Sequence, residues 1–207
     1  MTNFEPDNGT SRDELVQRVA LMESMIAEGR RTTTRYGWMF LLWGLVYFTA
    51  MLWVIFLPFR NWAWPVCVAL ALVIGAVVKW RRRAAGGTES LRSRSIESVW
   101  KALGTTISLF VVVAIATHHF DASTYFGAIL FFLGMAHATS ALILRWGVQG
   151  VVAAIWWAGG VACFIFTTPA ELATIFLTAT FFGMILFGLY AMWLERRRAS
   201  AQVEQHA

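Results

Sequence analysis

Charged residues are scarce in this chain of 207 residues. They make up 14% of the sequence, whereas soluble domains carry about 25%. Hydrophobic residues reach 58%, and the mean hydropathy is +0.59. So much apolar surface cannot be hidden inside a water-soluble monomer of this size, and it also excludes intrinsic disorder, which requires low hydrophobicity. The two cysteines are too few for a disulfide-stapled scaffold.

The charges that are present lie between long apolar runs. Each run is long enough to cross a hydrocarbon core about 30 Å thick as a helix, and none has a charge in its middle. The alternation expected of a transmembrane barrel is absent, and helices satisfy their own backbone in lipid. The sequence therefore predicts an all-α polytopic membrane protein with six transmembrane helices, at about residues 37–57, 62–79, 102–118, 124–144, 147–167 and 172–194.

Basic residues are sorted to one side of these six runs. All 17 Lys and Arg residues except Arg60 lie in the N-terminal arm, the second and fourth connections or the C-terminus. Because cytoplasmic segments of membrane proteins are enriched in Lys and Arg, we expect both termini to be cytoplasmic. The net charge of +5 is then orientation charge beside anionic lipid, and it does not indicate a nucleic-acid partner.

The polar N-terminal arm carries an amphipathic pattern. We expect residues 1–10 to be disordered, 11–35 to form a cytoplasmic amphipathic helix, 36–195 to form the bundle and 196–207 to form a basic cytoplasmic tail. Ser11 and Glu14 have the spacing of a capping box at the start of this helix. Its apolar stripe would either lie on the membrane or the bundle, or dock another copy or a partner protein, through Leu15, Val19, Met22 and Ile26.

Most connections between the runs are short, and small residues recur along two of the spans. Short connections join antiparallel neighbours, so we expect three hairpins, formed by spans 1–2, 3–4 and 5–6. Small residues four apart let two backbones approach closely, within one chain or in a homo-oligomer. The expected packing rows are Gly150, Ala154, Ala158 and Ala162 on span 5, and Gly134 with Ala138 on span 4. Gly183 and Gly188 on span 6, five apart, are a weaker signal.

His137 is the one ionisable side chain deep inside a predicted span. Gly134 and Ala141 share its helix face, so the imidazole should point into the bundle. At the same depth span 3 offers Ser108 and Thr105, and we expect His137 to lie near one of these hydroxyls. An intramembrane histidine can carry protons or bind a metal, but a neutral imidazole satisfied by a hydroxyl is the favoured interpretation.

Several functional classes lack the residues that they require. His118 and His119 precede Asp121 at the outer end of span 3, but adjacent residues on a helix point apart, so we expect no metal site. The depth of these histidines does not match that of His137, so no haem and no other cofactor is expected. The spans contain no carboxylate or ammonium for ion-coupled transport, and the loops carry no P-loop or dinucleotide motif. No catalytic residue is assigned, and an enzyme is the less favoured class.

The run ALMESMIAEGRRTTTRYGWMFLLWGLVYF at residues 20–48 resembles the start of small uncharacterised bacterial membrane proteins. Those proteins are similar in having a short amphipathic cytoplasmic helix before a tryptophan-rich first span, and in a six-span plan. The resemblance implies a membrane location and no assigned activity.

Two main functional hypotheses follow. The first is a non-enzymatic protein of the bacterial inner membrane, a scaffold or accessory subunit acting through helix packing and its cytoplasmic helix. The alternative is a permease or channel-like transporter for a small or apolar solute, and a third possibility is a membrane enzyme that uses His137. A polar cavity reaching His137 would favour the second or third hypothesis. A filled core with an exposed N-terminal stripe would favour the first.

Overall fold

The computed structural model describes residues 14–21, 23–24, 37–84, 91–117 and 121–204, and the regular structure in these ranges is helical. Six stretches are long and apolar enough to cross a membrane, as the sequence predicts. They are Gly37–Phe56, Arg60–Val78, Ile96–Thr117, Ala122–Leu144, Gly147–Ile165 and Pro169–Arg198. The architecture is that of a multi-pass helical membrane protein.

The helices are numbered here along the chain. The first three are α1 (Gly37–Phe56), α2 (Ala63–Ala84) and α3 (Leu91–Thr117), with a 3₁₀ turn Arg60–Trp62 between α1 and α2. They are followed by α4 (Ala122–Leu144), α5 (Gly147–Ile165) and α6 (Pro169–Thr180). A π-helical turn, Phe181–Leu186, joins α6 to α7 (Phe187–Glu204), so that the sixth apolar stretch is one continuous rod.

Local chemistry explains where α4 and α6 begin and where α4 ends. The Asp121 side chain accepts a hydrogen bond from Thr124 N and caps the start of α4. The last turn of α4 closes with Arg145 in the left-handed conformation and with Trp146 N donating to Ala141 O, which is a Schellman arrangement. Thr168 and Glu171 form a capping box at the start of α6. These stops place the connections at the ends of the apolar stretches.

The most extensive helix contact joins α4 to α5, which belong to different hairpins in the arrangement expected from the sequence. In the described residues, α1 packs against α2, α7 and the π turn, and α6 packs against α4, α5 and α1. Within the same ranges, α3 has extensive contact with α4 alone. The core therefore consists of α1, α4, α5 and the α6–α7 rod, with α2 and α3 at its periphery.

Aromatic side chains on α4 and α5 occupy the space beside glycines of the opposite helix. A Cβ added to Gly134 would collide with Cδ1 of Trp157. Gly127 lies seven residues before Gly134 on α4, and it is covered in the same way by Phe164, which lies seven residues after Trp157 on α5. Phe131 likewise covers Gly160. This antiparallel register holds α4 and α5 as a tight pair.

The expected small-residue row on α5 does not form this contact. Ala154 and Ala158 are exposed, and a Cβ added to Gly150 would meet nothing within 4 Å. The row shares one helix face, but the face buried in the bundle is a different one, made of Gln149, Val152, Ala153, Trp156, Gly160 and Cys163. Of the row predicted on α4, Gly134 is buried and packed against α5, and Ala138 is half-buried.

Gly188, part of the weaker pattern, lies where α1 and α7 approach backbone to backbone. A Cβ on Gly188 would lie 2.7 Å from Leu41 N. Gly183 lies inside the π turn, where a Cβ would lie 2.5 Å from Cε2 of Trp156. Because a π turn holds about one residue more than an α turn, a spacing of five can here keep both glycines in the packed interior.

Candidate functional site

His137 lies wholly inside the bundle, with zero exposure. It shares the buried face of α4 with Leu133, Ser140 and Leu144, which follow one another at helical spacing. This placement is the one that its small neighbours on α4 lead us to expect.

Four aromatic rings, from four helices, surround the imidazole. The ring centroid of Trp100 lies 5.0 Å from that of His137, and Phe187 lies at 5.4 Å, both edge to face. Phe40 lies at 5.6 Å, and Trp156 is nearly parallel to the imidazole at 6.4 Å. α1, α3, α5 and α7 each contribute one of these rings, so the histidine stands where the helices converge.

The expected pairing of His137 with Ser108 or Thr105 is not formed. Neither imidazole nitrogen has a hydrogen-bond partner in the described part of the chain, and both hydroxyl residues are exposed on α3. α3 packs through the face that carries Leu103, which is buried. Thr105 and Ser108 come two and five positions after Leu103 and therefore point away from its face of the helix. As a result, α3 turns both hydroxyls outward. The depth of a residue along a helix axis does not determine how that helix is rotated about the axis.

Three more polar side chains are fully buried beside this core and were missed as a group. They are Ser140 on α4, Gln149 on α5 and Thr180 on α6, each with zero exposure. Their side-chain polar atoms also lack hydrogen-bond partners in the residues that the structure describes. Gln149 carried a signal that could have found it, because an amide near the start of an apolar span is costly unless it is satisfied.

A cleft of about 550 Å³ lies at the other end of α3 and α4, and its lining does not include His137. Among the described residues that line it, the one charged side chain is Asp121. Its carboxylate accepts from Ser123 Oγ at 2.6 Å, Thr124 Oγ1 at 2.7 Å and Thr124 N at 2.9 Å. These hydrogen bonds hold the pKa of Asp121 at about 2. The carboxylate is occupied by the start of its own helix, which makes it a cap.

The residues considered as metal ligands in the sequence fall only partly in the described part of the chain. His118 and His119 lie outside the described residues. Over the described ranges, no group of three or more His, Cys, Asp or Glu side chains is placed to hold a metal ion. Cys67 and Cys163 are free and buried on different helices, α2 and α5.

The N-terminal stripe is described only in part. Residues 14–21 are helical, and Glu14 pairs with Arg18 at 3.7 Å one turn away. Leu15 and Val19 are 59% and 53% exposed. Met22 and Ile26, the other two members of the predicted stripe, lie outside the described residues.

Comparisons of this chain with protein-family models, with curated proteins and with solved structures gave no match. The resemblance of residues 20–48 to small bacterial membrane proteins therefore stays a prediction.

Proposed function

We propose that the protein is a non-enzymatic scaffold or accessory subunit of the bacterial inner membrane, with both termini in the cytoplasm. It would act by packing its helices against other membrane components and by docking a partner protein through the cytoplasmic stripe that includes Leu15 and Val19. A scaffold of this kind needs membrane-spanning helices and a docking surface, and it needs no reacting site.

The observation that carries the proposal is the ring of aromatic side chains around His137. A transporter needs a route past its deepest polar group, and an enzyme needs space for a substrate beside its reacting atom. Here Trp100, Phe187 and Phe40 stand 5.0 to 5.6 Å from the imidazole, centroid to centroid. Aromatic packing at this distance is typical of a closely packed core on the side of the imidazole that these rings cover.

The exposed N-terminal stripe supports the docking part of the proposal. Leu15 is 59% exposed, and Val19 follows one turn later on the same face. Exposed apolar stripes on short helices are typical of segments that bind a groove in another protein.

The test is affinity purification of the tagged protein in mild detergent, with partners identified and counted by mass spectrometry. We expect a partner in fixed stoichiometry, which the double substitution Leu15→Ser and Val19→Ser removes. Leu21→Ser is the matched control, because Leu21 is equally exposed at 59% but lies about 240° around the helix from Leu15. Recovery of a lone monomer, or equal loss of the partner in the control, would overturn the proposal.

The alternative function, a permease for a small or apolar solute, has support in the buried polar side chains beside His137. A stopped-flow flux measurement on reconstituted vesicles separates the two. The scaffold proposal expects vesicles with the protein to pass water and small solutes no faster than empty vesicles.

A further inference from the structure

The interior of the bundle carries more hydrogen-bonding capacity than its own side chains use. His137, Ser140 and Gln149 have zero exposure, and none of their side-chain nitrogen or oxygen atoms has a partner among the described residues. In a membrane interior such groups cannot turn to bulk solvent. A buried polar group without a hydrogen bond has lost the free energy of its hydration in water and has gained no bond in exchange. This lowers the stability of the folded state more than burial of the same group with a partner does.

The register of α4 against α5 places these three side chains within about 8 Å of one another in depth. Ser140 follows His137 by three residues on α4, so the two side chains are neighbours on one face. The α4–α5 register, set by Gly134 opposite Trp157, places Gln149 level with Leu142. Ser140 is two residues from Leu142, a difference in depth of about 3 Å. Gln149 and Ser140 are both on the buried faces of this tight pair.

The chemistry of the three side chains selects their ligand. A neutral imidazole offers one donor and one acceptor, a hydroxyl offers both, and an amide offers two donors and an acceptor. No described carboxylate or ammonium belongs to the fully buried set, which consists of these residues and Thr180, so neither a cation nor an anion is favoured. A buried water molecule makes about three hydrogen bonds and both donates and accepts, which matches this mixed set.

We propose that His137, Ser140 and Gln149 form a hydration site inside the bundle, in which bound water bridges α4 and α5. Trp156, nearly parallel to the imidazole at 6.4 Å, and Phe187, at 5.4 Å, bound the site on the side of the aromatic rings. The site joins the tightest helix pair of the core and keeps its polar groups satisfied without a route across the membrane.

Hydroxyl-radical labelling by X-ray radiolysis tests the site on the full-length protein in detergent. The radicals form from water where it is bound, so they label side chains beside buried water even at zero exposure. We expect His137 to be oxidised readily once its rate is normalised to that of the unfolded chain. Phe176 is the matched control, because it is 1% exposed and packs among the aromatic rings of Tyr47, Trp64 and Phe126. Protection of His137 equal to that of Phe176 would overturn the proposal.

A variant tests whether the three residues share one site. Gln149→Leu keeps the volume near that of the amide and removes its hydrogen bonds, so the labelling of His137 should be largely lost. Thr174→Ala is the control, since Thr174 is exposed on α6 and bonds only to Ala170 O one turn back. Unchanged labelling of His137 in a folded Gln149→Leu protein would refute the shared site. If that variant does not fold, the comparison with Phe176 in the unaltered protein still decides.

Discussion

Gly188 on α7 lies directly against the backbone of Leu41 on α1, so that an added Cβ would stand 2.7 Å from Leu41 N. The next nearest atom is Gly37 O at 2.9 Å, which is also backbone. No side chain can rotate to make room at this point. The two helices must separate to accept any residue larger than glycine.

Gly188→Ala should therefore destabilise the bundle, by about 1–3 kcal/mol as for other overpacked cores. The free energy of unfolding in mixed detergent, followed by circular dichroism, measures the effect. Gly150→Ala is the control, because a Cβ there meets nothing within 4 Å. Alanine also suits a helix better than glycine, so the control should be neutral or slightly stabilised. Equal effects of the two substitutions would contradict the close contact.

Some features of this fold can be predicted from sequence and others cannot. The six spans were predicted because bilayer thickness sets helix length, a rule that needs no knowledge of neighbours. The face of α5 was not predicted. Small residues indicate that close approach is possible, but the buried Gly160 and the half-buried Gly150, which has no neighbour within 4 Å of an added Cβ, look alike in sequence. The bulky partner, Phe131 for Gly160, decides which glycine is buried.

In the candidate site, too, one feature can be predicted from sequence and another cannot. The inward direction of His137 could be expected from its own helix, since small residues share its face. Its partners could not, because they depend on how each other helix is rotated. α3 lies at the periphery and presents Leu103 to the bundle, which leaves Ser108 exposed. No periodicity within α3 says which neighbour its buried face meets.

The ring of Phe40 contacts three other rings at the centre of the bundle, each from a different helix. Its ring centroid lies 4.9 Å from Trp100, 5.0 Å from Phe187 and 5.6 Å from His137. Phe40→Ala should lower the free energy of unfolding by about 3 kcal/mol, near the lower end for buried phenylalanine. The lower end is expected because lipid is itself apolar, so lost packing contributes and transfer from water does not.

Phe182→Ala, at an exposed position of the π turn, is the matched control for Phe40→Ala. It should change the free energy of unfolding little. A loss as large as that of Phe40→Ala would show that the aromatic cluster has no special role in stability.

Asp121 makes the start of α4 sensitive to acid. Its hydrogen bonds lower its pKa from 3.8 to about 2, so the native state favours the ionised carboxylate. The extra stability is present above the unfolded pKa and is lost as the pH falls from about 4 toward 2. Asp121→Asn does not titrate. We therefore expect the melting temperature of the unaltered protein to exceed that of Asp121→Asn at pH 7, and the difference to shrink toward pH 2.

Other carboxylates, such as the capping Glu171, titrate in both proteins and cancel in this difference. Melting temperatures of the two proteins, measured in detergent at intervals from pH 7 to pH 2, check the prediction. A difference that stays constant over this range would mean that the Asp121 cap does not depend on ionisation.

The two ends of the sixth apolar stretch provide a direct test of orientation. Thr167 lies exposed in the short connection before α6, and Ser200 is exposed near the end of α7. Because Arg196, Arg197 and Arg198 lie beside Ser200, the positive-inside rule predicts that this end is cytoplasmic and that Thr167 is outside. In intact cells a membrane-impermeant maleimide should label Thr167→Cys and leave Ser200→Cys unlabelled until the cells are lysed. The unaltered protein gives the background of Cys67 and Cys163, which are buried. Labelling of Ser200→Cys in intact cells would place the C-terminus outside, and the arginines would then have a role other than orientation.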